Sequence, residues 1–213
     1  MKNSTWSGRF KKGLDEEVLE FSESISFDHL LFDSDIRVCI AHAEMLSECK
    51  IISKKESNTL IKGLNAVQKK YDAGKLRLSI KFEDVHMNIE QALTKEIGEL
   101  GKKIHMGRSR NDLVATDFRL YLRDCSDLIL EKLRDIRYAL ALSAHDNSGV
   151  IFPGYTHLQL AQPVTFGHHL LAWHEMLARD EQRMAQTKDR LNVLPLGSAA
   201  LSGTPYKIDR KSV

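Results

Sequence analysis

Two guanidinium groups, a hydroxyl, a carboxamide and a carboxylate stand together in Gly107-Arg108-Ser109-Arg110-Asn111-Asp112. At the start of a helix such groups join unpaired backbone N–H groups and the positive end of the helix dipole, so the run is suited to bind a carboxylate or a phosphate. It suits an ordinary capped helix start equally well, with Ser109 or Asn111 satisfying first-turn amides and the arginines solvated. A second polar run, Gly154-Tyr155-Thr156-His157-Leu158-Gln159 followed by Ala161-Gln162-Pro163, brings an imidazole that can move protons near neutral pH. Pro153, Gly154 and Pro163 restrict the shape of that segment, although a lone histidine is more often structural. Glu83-Asp84-Val85-His86-Met87-Asn88-Ile89-Glu90 places four ionisable side chains within one or two helical turns. They could grip a cationic ligand group, but a negatively charged helix N-terminus is the reading this run favours alone.

Long helices must position these groups. All four prolines, Pro153, Pro163, Pro195 and Pro205, fall in the second half, so nothing before residue 153 carries the strongest helix breaker. Apolar residues recur at three and four from Asp15 to Ser24 and from Ser34 to Cys49. Ser53-Lys54-Lys55-Glu56 reads as a capping box opening a helix to about Tyr71, and a shorter helix is expected from Val85 to Glu99. From Asp112 to about Asp146 an unbroken amphipathic stripe, Val114, Phe118, Tyr121, Cys125, Leu128, then Ile129, Leu133, Ile136 and Leu140, predicts a helix roughly 50 Å long. A loop over Gly154 to Gln162 and a second long helix from Thr165 to about Asn192 follow, with strand-like alternation nearly absent. The expected fold is all-α: a small helical domain over residues 1–106, then the long antiparallel helices of an incomplete central bundle over 107–213.

Composition narrows the function. With 213 residues, 42% hydrophobic and 28% charged, the chain can bury a real core. Its net charge of +2 comes from interspersed acids and bases, not from the basic stripe that nucleic acid or a membrane surface demands. No apolar run approaches the ~20 residues of a membrane span. Cys39, Cys49 and Cys125 form no paired spacing, and the first residues lack a signal-peptide core, which fits a cytoplasmic protein. His168, His169 and His174 continue into a helix with no carboxylate or cysteine at zinc-site spacing, and no metal is expected. Phosphate loop, serine elbow and cysteine–histidine motifs are missing from the sequence, which leaves dehydrogenase, kinase and thiol or serine hydrolase readings unsupported.

These segments together resemble the argininosuccinate lyase family, within the fumarase, aspartase and adenylosuccinate lyase superfamily. The matching residues are Trp6 to Phe10, Ser24 to Asp28, Glu83 to His86, His105 to Asp117 as HMGRSRNDLVATD, Gly154 to His169 as GYTHLQLAQPVTFGHH, and Asn192 to Thr204 as NVLPLGSAALSGT. The resemblance implies reversible elimination of arginine from argininosuccinate to leave fumarate, with no cofactor and no metal, in a homotetramer. It assigns Ser109, Arg110, Asn111 and Thr156 to the succinate carboxylates, and Ser24 and Asp28 to positions near the entering substrate. Asp84 and His86 are assigned to its amino-acid or guanidinium end, Gln159 to the same binding set, and His157 to acid/base chemistry.

Departures from the family pattern carry their own expectations. The family's Gly-Ser-Ser-x-Met-Pro-Gln-Lys-Lys-Asn loop, which supplies a serine opposite the histidine, does not occur in this sequence. The chain is therefore expected to be an amino-terminal portion, inactive alone. Met106 stands where threonine is usual, and Ser7 where glycine is common. Two other classes remain open: a non-catalytic, crystallin-like protein derived from this family, and a helical assembly module.

Overall fold

The computed structural model describes residues 15–211, so the Trp6 to Phe10 motif and Ser7 lie outside the described residues. Helix α1 spans Glu16–Ser22 and α2 spans Ile25–Asp28, followed by a 3-10 turn and α3, Phe32–Glu48. Helices α4, Lys54–Asp72, and α5, Val85–Ile97, precede a 3-10 segment, Gly98–His105. The long helix α6 runs Arg110–Asp146, strands β1, Ile151–Thr156, and β2, Gln159–Thr165, form a hairpin, and α7 runs Phe166–Leu191. Over the described residues two compact units result, one of residues 15–118 with 194–211 and one of Arg119–Val193.

In the first unit α3, α4 and α5 enclose the core, where Phe32, Leu46, Leu60, Leu64, Ile89, Leu93 and Ile104 are fully buried. The Ser53–Glu56 capping box forms as the sequence predicts and starts α4. Ser57, on the first turns of α4, donates its hydroxyl to the Ala43 carbonyl at 2.9 Å, joining α4 to α3. Lys103 reaches Glu56 at 2.5 Å and brings the 3-10 segment to the same helix.

The second unit is a helix pair with a hairpin at one end. Partners run in opposite senses along α6 and α7, so the helices are antiparallel. Arg119 bonds the Arg190 carbonyl at 3.2 Å, Lys188 pairs with Asp127, and Arg134 and Arg137 both grip Glu181. At the hairpin end Gly167 lies so close to α6 that an added Cβ would meet the Ala144 carbonyl oxygen at 2.4 Å.

The hairpin, like the short helix α2 and the 3-10 segment Gly98–His105, lies where the sequence reading predicts no element. Its strands pair antiparallel with Thr156 opposite Gln159 and Pro153 opposite Pro163, and with a register irregularity between Pro153 and Tyr155. Almost every residue of both strands is exposed or half-exposed. With no face to bury, the hydrophobic alternation that identifies a strand has no reason to be present. Gly154 is the residue that close pairing requires, because a Cβ there would lie 2.6 Å from the Gln162 carbonyl oxygen.

Candidate functional site

At the start of α6 Ser109 caps the helix as one reading of Gly107 to Asp112 expects, while Arg108 is buried and Arg110 is paired instead of solvated. The Ser109 N–H donates to Asp112 Oδ1 at 2.8 Å, and the Asn111 N–H reaches Ser109 Oγ at 3.4 Å, so this serine and aspartate cap the helix reciprocally. Asp112 is buried. Its second oxygen accepts the Gly197 N–H at 2.9 Å and the Ala199 N–H at 2.7 Å. One carboxylate thus fixes the helix start and the Asn192 to Thr204 segment together. The amide of Asn111 stays exposed at the first turn.

Arg110 turns toward the α5 N-terminus. Its Nε donates to Asp84 Oδ2 at 2.9 Å, its Nη2 pairs with the same oxygen, and Nη1 reaches Glu83 at 3.4 Å. Asp84 also caps α5, its Oδ1 accepting the Met87 N–H at 2.7 Å. Ser24 donates to Asp28 Oδ2 at 2.6 Å, and Asp28 accepts the Val85 N–H at 3.1 Å. Both the Ser24 and Ile25 amides bond the Glu83 carbonyl. Burial raises the Asp28 pKa, against the opposing pull of the Ser24 hydroxyl and the Val85 amide. Ser24, Asp28, Asp84, Ser109 and Arg110, dispersed over the sequence, therefore belong to one connected polar region of the first unit.

Beneath this region lies a buried charge cluster. The His86 Nδ1–H donates to Asp35 Oδ2 at 3.0 Å, Cys39 donates to Asp35 Oδ1 at 3.1 Å, and Arg108 Nη2 donates to Cys39 Sγ at 3.2 Å. Burial would raise the Asp35 pKa, but His86 and Arg108 hold it below the usual carboxylate range. The neighbouring Asp117 carboxyl is pushed up to about 10, first by burial and then by the charge of Asp35. His42 bonds the Met106 carbonyl at 2.8 Å, and burial lowers its pKa to about 3.

Sequence reasoning singles out His86 but neither Asp35 nor Asp117. Both sit in helical apolar patterns, and the one available signal is the i,i+4 spacing of Asp35 and Cys39, which the pattern does not set apart. His86 itself is buried against Asp35.

Thr156, His157 and Gln159 lie in the second unit, at the tip of the hairpin, and all three are exposed. His157 and Leu158 both take positive φ, 50° and 62°. That is the geometry of a two-residue turn matched to the strand twist, adopted here without glycine. A non-glycine pair held in this region stores backbone strain.

A family model described as lyase matches residues 8–213. The argininosuccinate lyase of Nitrosococcus oceani is 53% identical over 205 residues, covering 96% of this chain and 44% of that protein. That of Pseudomonas syringae pv. tomato is 51% identical over 209 residues, covering 98% of this chain and 45% of the relative. The chain thus spans less than half the length of these curated relatives. Among solved structures, an EDDS lyase variant with bound fumarate matches with a TM-score of 0.78 at 33% identity, over 90% of this chain and 37% of that one.

Proposed function

This chain belongs to the lyase family whose model spans residues 8–213, and from that membership we propose that it forms part of an argininosuccinate lyase, cleaving argininosuccinate reversibly to arginine and fumarate. The observation that carries this reading is the polar region at the start of α6, where Arg110, held by Asp84 and Glu83, stands beside the Ser109 cap and the exposed Asn111. Fumarate bound to a related lyase supports a dicarboxylate as the ligand class.

In the proposed reaction a base removes the proton on the carbon next to a substrate carboxylate, the adjacent C–N bond breaks, a C=C bond forms and the leaving nitrogen gains a proton. Charge builds on that carboxylate in the transition state, so donors aimed at it favour the transition state over the ground state. Ser109, Arg110, Asn111 and Thr156 are the donors in this reading. Arg110 exchanges a side-chain carboxylate for the substrate's. Ser24, Asp28, Asp84, His86 and Gln159 shape the remainder of the pocket, directly or by holding its walls.

His157 serves in proton transfer, where a positioned group contributes about 10²- to 10⁴-fold in rate. Its counterpart is a serine on a segment outside these residues, and neither a cofactor nor a metal takes part in the chemistry. The setting is arginine biosynthesis in the cytoplasm, in a homotetramer. Exposed apolar side chains along α6 and α7, among them Phe118, Leu128, Ile136 and Trp173, support association. The same surface also favours a helical assembly role as the alternative.

Complementation tests the reading. The 213 residues alone are expected to give no fumarate from argininosuccinate, and addition of a polypeptide carrying the serine loop is expected to restore it. His157→Ala in the complemented mixture should lose activity again. A complemented, folded mixture that produces no fumarate overturns the proposal and leaves the assembly role standing.

A further inference from the structure

His86 has one nitrogen accounted for and one not. Nδ1 is engaged by Asp35, and the side chain is 1% exposed. Nε2 is buried and, among the described residues, without a hydrogen-bond partner. The tautomer assigned by the Asp35 bond places the lone pair on Nε2. That lone pair faces Glu90, one helical turn further along α5, whose Oε2 lies 4.0 Å away. The same Glu90 oxygen is 2.8 Å from His105 Nε2, at the end of the 3-10 segment. The imidazoles of His86 and His105 meet edge to face with ring centroids 5.0 Å apart. All three ligand atoms lie within 4.8 Å of one another.

We propose that His86, Glu90 and His105 bind one divalent transition cation of the zinc type. Two imidazole nitrogens and one carboxylate oxygen match the three-ligand set that zinc takes when a fourth position is left for water. Bonds of about 2.0–2.1 Å in a tetrahedron separate ligand atoms by about 3.3 Å. The observed 2.8 Å and 4.0 Å straddle that value and the two imidazole nitrogens lie within 4.8 Å of each other, so side-chain rotations that draw the ligand atoms together would close the site. Asp35 supplies the outer partner that metal-bound histidines characteristically have, a carboxylate on the other ring nitrogen. His86 and Glu90 stand four residues apart on one helix face, a spacing that presents two ligands side by side. Calcium and magnesium, which take oxygen ligands, do not fit a set with two imidazoles.

Access and charge distinguish this triangle from its neighbour. His105 and Glu90 are 35% and 19% exposed, which leaves an entry path and an open coordination position. Asp35, Cys39 and His86 also cluster, but all three are buried, and the Arg108 guanidinium already donates to the Cys39 sulfur. A cation there meets another cation. The charge of Arg108 also acts on Glu90, but at His86, Glu90 and His105 the two carboxylates of Glu90 and Asp35 offset it. A bound ion would tie α5 to the end of the 3-10 segment, only a few residues before the Ser109 cap.

The test is a zinc titration of the purified chain against a chromophoric chelator, repeated with His105→Ala and Glu90→Gln and accompanied by circular dichroism of each. The expected result is one tight zinc per chain, with affinity at least about tenfold weaker in both variants and helicity unchanged. Cobalt(II) in place of zinc should give an intense visible band in the wild-type chain. No stoichiometric tight zinc overturns the proposal, as does undiminished binding by folded His105→Ala, which would assign the ion to other surface histidines. The cobalt measurement needs no variant: a spectrum showing only weak, octahedral-type absorption overturns it too. None of these readouts depends on lyase activity, so this inference and the proposed function fail separately.

Discussion

Asp112 carries more structure than its place in the Arg-Ser-Arg-Asn-Asp run suggests. Its two oxygens hold three backbone N–H groups, those of Ser109, Gly197 and Ala199, from segments far apart in the chain. Asp112→Ala leaves those donors unpaired in a buried place and is expected to destabilise the first unit by about 3 kcal/mol, read as a shift in the urea midpoint. Asp117 makes a prediction of opposite character. Its folded pKa of about 10 stands above the ordinary 3.8 because burial and then Asp35 disfavour the charged form. The stability it contributes is therefore fully present below pH 3.8 and is lost as pH rises toward 10, where the unfolded chain has released a proton that the folded chain retains. Between pH 5 and pH 9 the unfolding free energy of wild type, read from urea titrations, should fall relative to that of Asp117→Asn by up to about 1.4 kcal/mol per pH unit. Parallel profiles would contradict this. The polar residues of the α6 start were legible because five hydrogen-bonding side chains stand in succession. Asp35 and Asp117 were not, since each is a single acid inside a helical pattern and nothing local reveals that tertiary packing has buried it.

Helices were the most legible elements. The Ser53–Glu56 box, the stripe after Asn111 and the Thr165 start of α7 each combine a cap with a 3.6-residue period, and each forms within two residues of expectation. The hairpin was illegible for a physical reason: two strands that bury neither face, and a turn that uses His157 and Leu158 where sequence rules look for asparagine and glycine. Gly167 tests how closely α6 and α7 are held. Gly167→Ala drives a methyl group into the Ala144 carbonyl and should cost about 1–3 kcal/mol despite the better helix propensity of alanine. An unchanged or raised melting temperature would show that the helices separate without penalty at that end.

Across the molecule as a whole, the core of the first unit is well covered, while the second leaves Leu128, Ile129, Ile136, Tyr138, Leu142, Leu171 and Trp173 exposed on its helices. An apolar surface of that extent favours association, so sedimentation velocity should show species larger than monomer that grow with concentration. A sharp monomer boundary at all concentrations would count against the proposed assembly. The left-handed pair at the hairpin tip bears on the chain's overall economy of stability and rate. Leu158 is almost fully solvated, so Leu158→Gly forfeits no packing and relieves a conformation that costs about 1 kcal/mol. The chain should melt at a higher temperature for it. Loosened by the same change, the neighbouring imidazole would wander through more orientations, and turnover in a reconstituted lyase should slow: a sturdier protein that works less well.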